Sequence, residues 1–476
     1  MVKNSIIKLP FDSRGNIFRW GPVPGKFLYT SAFAEVHYKH FRERYGENWP
    51  ETVWLFKDVR SFWINNAPDV NATGERIFVK YLLPRVSREK IYREWLDDVK
   101  RIQDIEKKIS KIKLAEITDA ELLILWTDLL KYYIKFWITG SIPELANYGS
   151  IHYLTERIKK YITDERNITE VLEILTAPTR LSFYQEEEIA LSQTTDLANH
   201  QQQFFWLKNS YAGTQVLPVE FFVERKKELK PEMVIEIKKK MAETKMRKLA
   251  IRKQFYISVE VMDIAEAISE GIGWQDERKK YIFIILHYFD ALVQEVGRRY
   301  EYAFDELHNL GHQEITEIIK GKDLHAKLME RAKGFGIQFF HECKELNAEE
   351  TEYVWNTYSS TEEAASGAKE VKGIVASKGI HGTVRGEIRI LLDPLKVEMF
   401  RDGEILVAPM TSPEYIFAMK KACAVITDTG GLTSHAAIVS RELGIPCLVG
   451  TKIATTLFKD GDLVEVNPAQ GIARKV

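Results

Sequence analysis

From about residue 88 to residue 356 the chain repeats apolar residues three and four positions apart, most regularly over 88–113, 119–137, 231–268, 277–307 and 323–343. That spacing lines the apolar side chains along one stripe of a helix, so the region reads as predominantly α-helical. The first eighty or so residues mix aromatics with Gly, Pro and short charged stretches and lack this period. Weak break signals at Pro178-Thr-Arg-Leu-Ser and Thr194-Thr-Asp divide the helical region loosely near residue 190, into parts 1–190 and 191–356. The texture then changes. Residues 357–372 are mostly small and polar with no apolar periodicity, as a flexible linker requires. Beyond it, short β-branched runs at 387–392, 404–408, 424–427, 447–449 and 463–466 are interspersed with two helical stretches, which predicts a compact α/β domain over 373–476. The expected fold class is multidomain: a large all-α region followed by a C-terminal α/β domain on a hinge.

Within that last domain one residue stands where chemistry is expected. Ala424-Val-Ile-Thr427 reads as a buried strand, Gly430-Gly431 frees the backbone to turn, and a helical pattern from Thr433 to Leu443 is ended by Gly444 and Pro446. His435 therefore falls in the first turn of a helix. The free amides and positive dipole end of that turn favour a dianion and disfavour imidazolium, leaving the ring neutral and able to accept phosphate. Gly430 and Gly431 give the backbone access to a phosphoryl group, and the hydroxyls of Thr429, Thr433 and Ser434 are further donors for its oxygens. Taken singly, each element is ordinary: Gly-Gly is a common turn, and Ser or Thr is a common helix cap.

Composition narrows the setting. At 476 residues the chain is long enough for two to four domains. A formal net charge of -1 with 28% charged residues offers no footing for nucleic-acid or anionic-membrane binding. The three cysteines have no CxxC spacing, so neither a disulfide framework nor a thiolate metal site is expected, and a reducing cytoplasm suits them. No signal-peptide core or membrane-length apolar run is visible. All ten tryptophans precede the linker, so the two halves of the chain use different core materials.

The run Thr427-Asp-Thr-Gly-Gly-Leu-Thr-Ser-His-Ala-Ala-Ile-Val-Ser-Arg-Glu-Leu-Gly-Ile-Pro446 resembles the phosphohistidine domain of the PEP-utilising enzymes, the family of phosphoenolpyruvate synthase, pyruvate phosphate dikinase, rifampicin phosphotransferase and enzyme I of the sugar phosphotransferase system. The resemblance extends back through Gly373-Ile-Val-Ala-Ser-Lys-Gly-Ile-His-Gly-Thr-Val-Arg-Gly386 and Glu404-Ile-Leu-Val-Ala-Pro-Met-Thr-Ser-Pro413. It covers roughly the last hundred residues well and the rest loosely. It implies that the C-terminal domain is a swivelling phosphohistidine domain and that His435 is the phosphocarrier.

A second cluster, His200-Gln-Gln-Gln-Phe-Phe-Trp206-Leu-Lys-Asn209-Ser-Tyr211, loosely resembles a polar-aromatic region in rifampicin-phosphotransferase-like proteins. It makes His200, Trp206, Asn209 and Tyr211 candidates for binding a small, partly apolar acceptor, the alternative being that these rings are core. No segment reads as the pyruvate-holding barrel or the ATP-grasp domain of family members, so pyruvate is not expected as substrate and no cofactor is expected on this chain. Phosphate would come from a separate ATP-grasp subunit that holds ATP and magnesium, an arrangement similar to phenylphosphate synthase. Two readings follow: a phosphotransferase subunit serving a small hydroxyl-bearing acceptor, or a phosphohistidine carrier that regulates a partner protein and makes no small-molecule product.

Overall fold

The computed structural model describes residues 9–12, 15–229, 231–339, 343–359, 369–432 and 434–476. Two long helices form the axis of the larger part, Asp119–Ile158 and Val259–Tyr300. The first begins with a capping box in which Thr118 and Glu121 satisfy each other's backbone donors, and Ser258 caps the second. Arg85–Ile109, Ala67–Ile77 and Glu165–Thr176 pack around them. The first of these lays Ile91, Trp95, Val99, Ile102 and Ile105 into the core at helical spacing. Helix limits differ from the periodicity in two places. The pattern read over 231–268 is two helices parted around Tyr256, whose φ is 54°, and 277–307 lies mostly within the single helix ending at Tyr300.

The larger part is not all α. Strands β1 (Ile17–Pro24), β2 (Thr52–Lys57), β3 (Arg60–Asn66), β4 (Phe335–Phe339) and β5 (Cys343–Leu346) form an antiparallel sheet in the order β1-β3-β2-β4-β5. Alternation along β2 and β3 serves two cores. Val53, Leu55, Phe62 and Ile64 meet Trp355 and Tyr358 of the helix Ala348–Ser359, while Trp54, Phe56 and Trp63 join the main helical core. The expected helix over 323–343 is a short helix, His325–Arg331, and then β4, separated by Gly334 at φ 104°. Because β2 pairs with β4, residues on both sides of position 190 share one sheet, and 190 itself lies inside the helix Phe183–Gln193.

Of the expected linker, 360–368 lies outside the described residues; 357–359 end the helix Ala348–Ser359. The C-terminal domain is a mixed eight-stranded sheet. Its strands are β6 (Glu370–Lys372), β7 (Ile374–Lys378), β8 (Val384–Ile390), β9 (Ile405–Ala408), β10 (Ala424–Thr427), β11 (Pro446–Val449), β12 (Leu463–Asn467) and β13 (Ile472–Lys475). The order is β6-β13-β12-β8-β9-β10-β11-β7, with β8, β9, β10 and β11 parallel to their neighbours in that run. The parallel strands β9, β10 and β11 are each four residues and buried throughout, as a sheet covered on both faces requires.

This domain is seated on the helical body. Phe417 stands edge-on to Tyr184 and Phe221, with the Arg225 guanidinium 5.1 Å from its ring centre. Around that aromatic plug Lys420 pairs with Glu188, Lys208 with Glu398 at 2.7 Å, and Lys240 donates to the Glu442 carbonyl at 3.0 Å. No helix among the described residues is long and apolar enough to cross a membrane.

Candidate functional site

The site forms where open parallel sheets usually bind ligands, beyond the C-terminal ends of neighbouring strands. The loop leaving β10 runs from Asp428 to Ser434, and the loop leaving β9 carries Pro409, Met410 and Thr411. Thr429 ties the two together. Its amide donates to the Pro409 carbonyl at 2.9 Å and its hydroxyl to the same oxygen at 3.0 Å. Gly430 takes φ 118°, where a Cβ would press on the Ser434 side chain, so the turn needs glycine. Gly431 accepts the Ser434 amide at 2.9 Å, and the Ser434 hydroxyl in turn caps the helix by accepting from the Ala437 amide at 3.4 Å. His435 is the first residue of that helix, His435–Leu443, which Gly444 closes at φ 69°. Thr433 lies outside the described residues.

His435 Nδ1 is 3.0 Å from the Thr411 hydroxyl. That contact uses one ring nitrogen and leaves Nε2 as the free one. By surface area His435 is only partly buried, yet desolvation, with the Lys279 ammonium second, holds its ring well below the ordinary histidine range. At neutral pH it is an uncharged imidazole with an available lone pair. Lys279 comes from the long helix Val259–Tyr300, so the helical body supplies a cation opposite the histidine.

Glu414, in the turn Pro413–Tyr415 that follows Thr411, is buried at 5% exposure. Burial raises its carboxyl above the usual range, with Lys279 acting the other way. Arg441 braces the site from behind: its guanidinium donates to the Leu432 carbonyl at 2.8 Å, in the loop just ahead of the histidine.

Of the four residues read as acceptor-binding, three are engaged in packing. His200 is buried with Nε2 3.1 Å from Glu187, whose other oxygen takes two donors of Arg225 at 2.7 and 3.0 Å. Trp206 is buried and donates to the Gln203 carbonyl at 2.8 Å. Asn209 donates to the Phe283 carbonyl and accepts from the Gln215 amide, both at 2.8 Å, which fixes the turn that follows. Tyr211 differs. Its ring lies edge-on to Phe283, and its hydroxyl is raised by burial first, with Tyr133, Arg278, Glu144 and Glu414 as charged or ionisable neighbours. It thus sits where the helical body meets the C-terminal domain.

Thr411, Glu414 and Lys279 were not singled out from sequence. Thr411 lies inside the family-like stretch 404–413, but nothing local marks Lys279, which reaches the site only through tertiary packing. Among the described residues no group of three or more His, Cys, Asp or Glu side chains is placed to hold a metal ion.

Residues 400–471 match the family model described as PEP-utilising enzyme, mobile domain. Phosphoenolpyruvate synthase of Pyrococcus furiosus is 45% identical over 119 residues, which is 25% of this chain and 14% of that protein. A probable phosphoenolpyruvate synthase of Archaeoglobus fulgidus is 46% identical over 110 residues, 23% of this chain and 14% of that protein. An uncharacterised phosphotransferase of Bacillus subtilis is 43% identical over 99 residues, 21% of this chain and 12% of that protein. The chain therefore spans only a small fraction of the length of these relatives. A solved structure of Thermococcus kodakaraensis aconitase X covers 23% of the chain and 99% of its own at 19% identity, with a TM-score of 0.19. The similarity is therefore to the PEP-utilising enzyme mobile domain and is confined to the C-terminal part of the chain, residues 400–471 with the histidine loop within them.

Proposed function

We propose that this chain is a phosphotransferase subunit that carries a phosphoryl group on His435 and delivers it to a small hydroxyl-bearing acceptor at the face of the helical body. The observation that carries the reading is the state of the histidine: a neutral ring at a helix N-terminus, anchored through Nδ1 by Thr411 and free at Nε2. Relatives named as phosphoenolpyruvate synthase and phosphotransferase support the same chemistry.

Nε2 attacks the transferred phosphorus as its bond to the oxygen of the departing remainder of the donor breaks and that oxygen keeps the electron pair. The phosphoryl dianion now on nitrogen is stabilised by the amides of the first helical turn and by the Gly430-Gly431 backbone. The Ser434 hydroxyl already caps the helix and the Thr429 hydroxyl already bonds Pro409, so these two act by shaping the loop. The donor is a separate ATP-grasp protein that holds ATP and magnesium. The C-terminal domain swings between that partner and the helical body, moving the activated group without releasing it to water. Lys279 and Tyr211, which face the docked domain, mark the acceptor side.

The test is intact-mass measurement at alkaline pH after incubation with magnesium-ATP, with and without a candidate ATP-grasp protein. A partner-dependent, acid-labile gain of one phosphoryl group, absent in His435→Ala, is the expected result. No gain with any phosphoryl donor overturns the reading.

A further inference from the structure

One buried carboxylate oxygen beside the histidine loop has no partner. The Ser412 hydroxyl serves the Glu414 carboxyl, but Oε2 has no hydrogen bond although the residue is 5% exposed. Leaving such an acceptor unpaired costs about 1–3 kcal/mol, so an unpaired group of this kind calls for a functional explanation. Glu414 stands three residues beyond Thr411, the residue that holds His435 Nδ1. Its electrostatic neighbours are Lys279 from the long helix, Tyr184 and Tyr211 from the helical body, and the adjacent Tyr415.

Transfer from phosphohistidine to a hydroxyl releases one proton, and the histidine does not need it. In the tautomer that keeps its proton on Nδ1 against Thr411, the ring leaves as neutral imidazole when the phosphorus–Nε2 electron pair returns to nitrogen. The acceptor's proton must go to another base. Among the described residues Glu414 Oε2 is the one buried carboxylate oxygen without a hydrogen-bond partner, whereas Glu144 is bound by Arg278 and Tyr148, one oxygen of Asp276 by the Phe183 amide at 3.0 Å and one oxygen of Glu442 by Gln185 at 3.2 Å.

We propose that Glu414 is the general base that takes the acceptor's hydroxyl proton as the phosphoryl group leaves His435, a role that rests on the carrier reading above. The acceptor oxygen forms its bond to phosphorus, the bond from phosphorus to Nε2 breaks, and the proton passes to Glu414 Oε2 and then to water. Lys279 offsets the negative charge of the phosphoryl oxygens and of the carboxylate as both crowd the interface. Burial that lifts a carboxyl toward neutrality suits it to this work.

The experiment uses the full chain, Glu414→Gln and Glu414→Asp. Each is phosphorylated chemically with phosphoramidate and checked by intact mass. Loss of the group is then followed across pH, with phenol and with water alone as probe acceptors, and phenyl phosphate is read by phosphorus NMR. All three chains are expected to take up one phosphoryl group. Transfer from Glu414→Gln is expected to be about 10²-fold slower, with the acid limb of the pH profile gone and Glu414→Asp restoring part of both. Equal rates and an unchanged profile in Glu414→Gln, with phenol and with water, overturn the proposal alone. Failure of the unaltered chain to be phosphorylated on His435 removes the carrier reading, and the proposal with it.

Discussion

Thr411 and His435 are brought together across 24 residues of sequence, and if His435 is the phosphocarrier their contact engages Nδ1 and leaves Nε2 to react. Replacing Thr411 with Val removes the partner of Nδ1 without changing the side chain's size. The ring is then free to place its proton on either nitrogen, and phosphoryl uptake is expected to fall by roughly tenfold, the equivalent of about 1–1.5 kcal/mol for one hydrogen bond. Initial rates of mass gain measure this. Titration of buried histidines provides a second expectation. His37 is wholly buried, stacks on Trp49 with ring centres 3.7 Å apart, and has neither ring nitrogen hydrogen-bonded. Burial holds it, like His435, well below its ordinary value. The unfolded chain binds protons near pH 6.5 while the folded chain does not, so the unfolded state gains protons first and stability falls as pH drops below about 6.5. In His37→Phe that loss is expected to be shallower, as read from urea midpoints at a series of pH values.

At the scale of elements, the parts legible in sequence were those with strong local signals. The period of the long helices and the β-branched runs that became β8 to β12 are such signals. So is the strand–glycine–helix order that placed His435 at a helix start. The antiparallel sheet was missed for a physical reason. β2 and β3 are joined through Asp58 and Val59, both at positive φ without a glycine to announce the hairpin, and most of their residues are buried on both faces, so no polar alternation survives. Lys279 and Glu414 were illegible because their meeting depends on docking of distant segments. The packing of Ala67–Ile77 on Asp119–Ile158 makes a further expectation. Gly149 stands where an added Cβ would run into the Glu75 backbone nitrogen, and Gly74 where one would meet the Leu145 carbonyl. Gly149→Ala is expected to cost about 2–3 kcal/mol through overpacking of two backbones, seen as a lower urea midpoint with an unchanged slope.

At the scale of the whole molecule, the docking of the C-terminal domain rests on a small aromatic plug ringed by charge. Phe417 sits among Tyr184, Phe221 and Arg225, and Lys420 reaches Glu188, which Arg225 also holds at 3.1 Å. Phe417→Ala is expected to weaken docking by about 1–2 kcal/mol, a shift of roughly 5- to 30-fold in the docking equilibrium. Small-angle scattering reads this as a larger radius of gyration, and Lys420→Glu is expected to act in the same direction. If phosphoryl delivery uses the docked arrangement, both variants slow transfer to the acceptor and spare uptake from the donor.

The most direct test of the central claim is phosphorus NMR of the phosphorylated chain, which distinguishes the two nitrogens of a histidine ring. If His435 carries the phosphoryl group with Nδ1 held by Thr411, the expected result is a single acid-labile resonance of Nε2-phosphohistidine that is absent in His435→Ala. A resonance from Nδ1, or phosphate found on any residue other than His435, would contradict it.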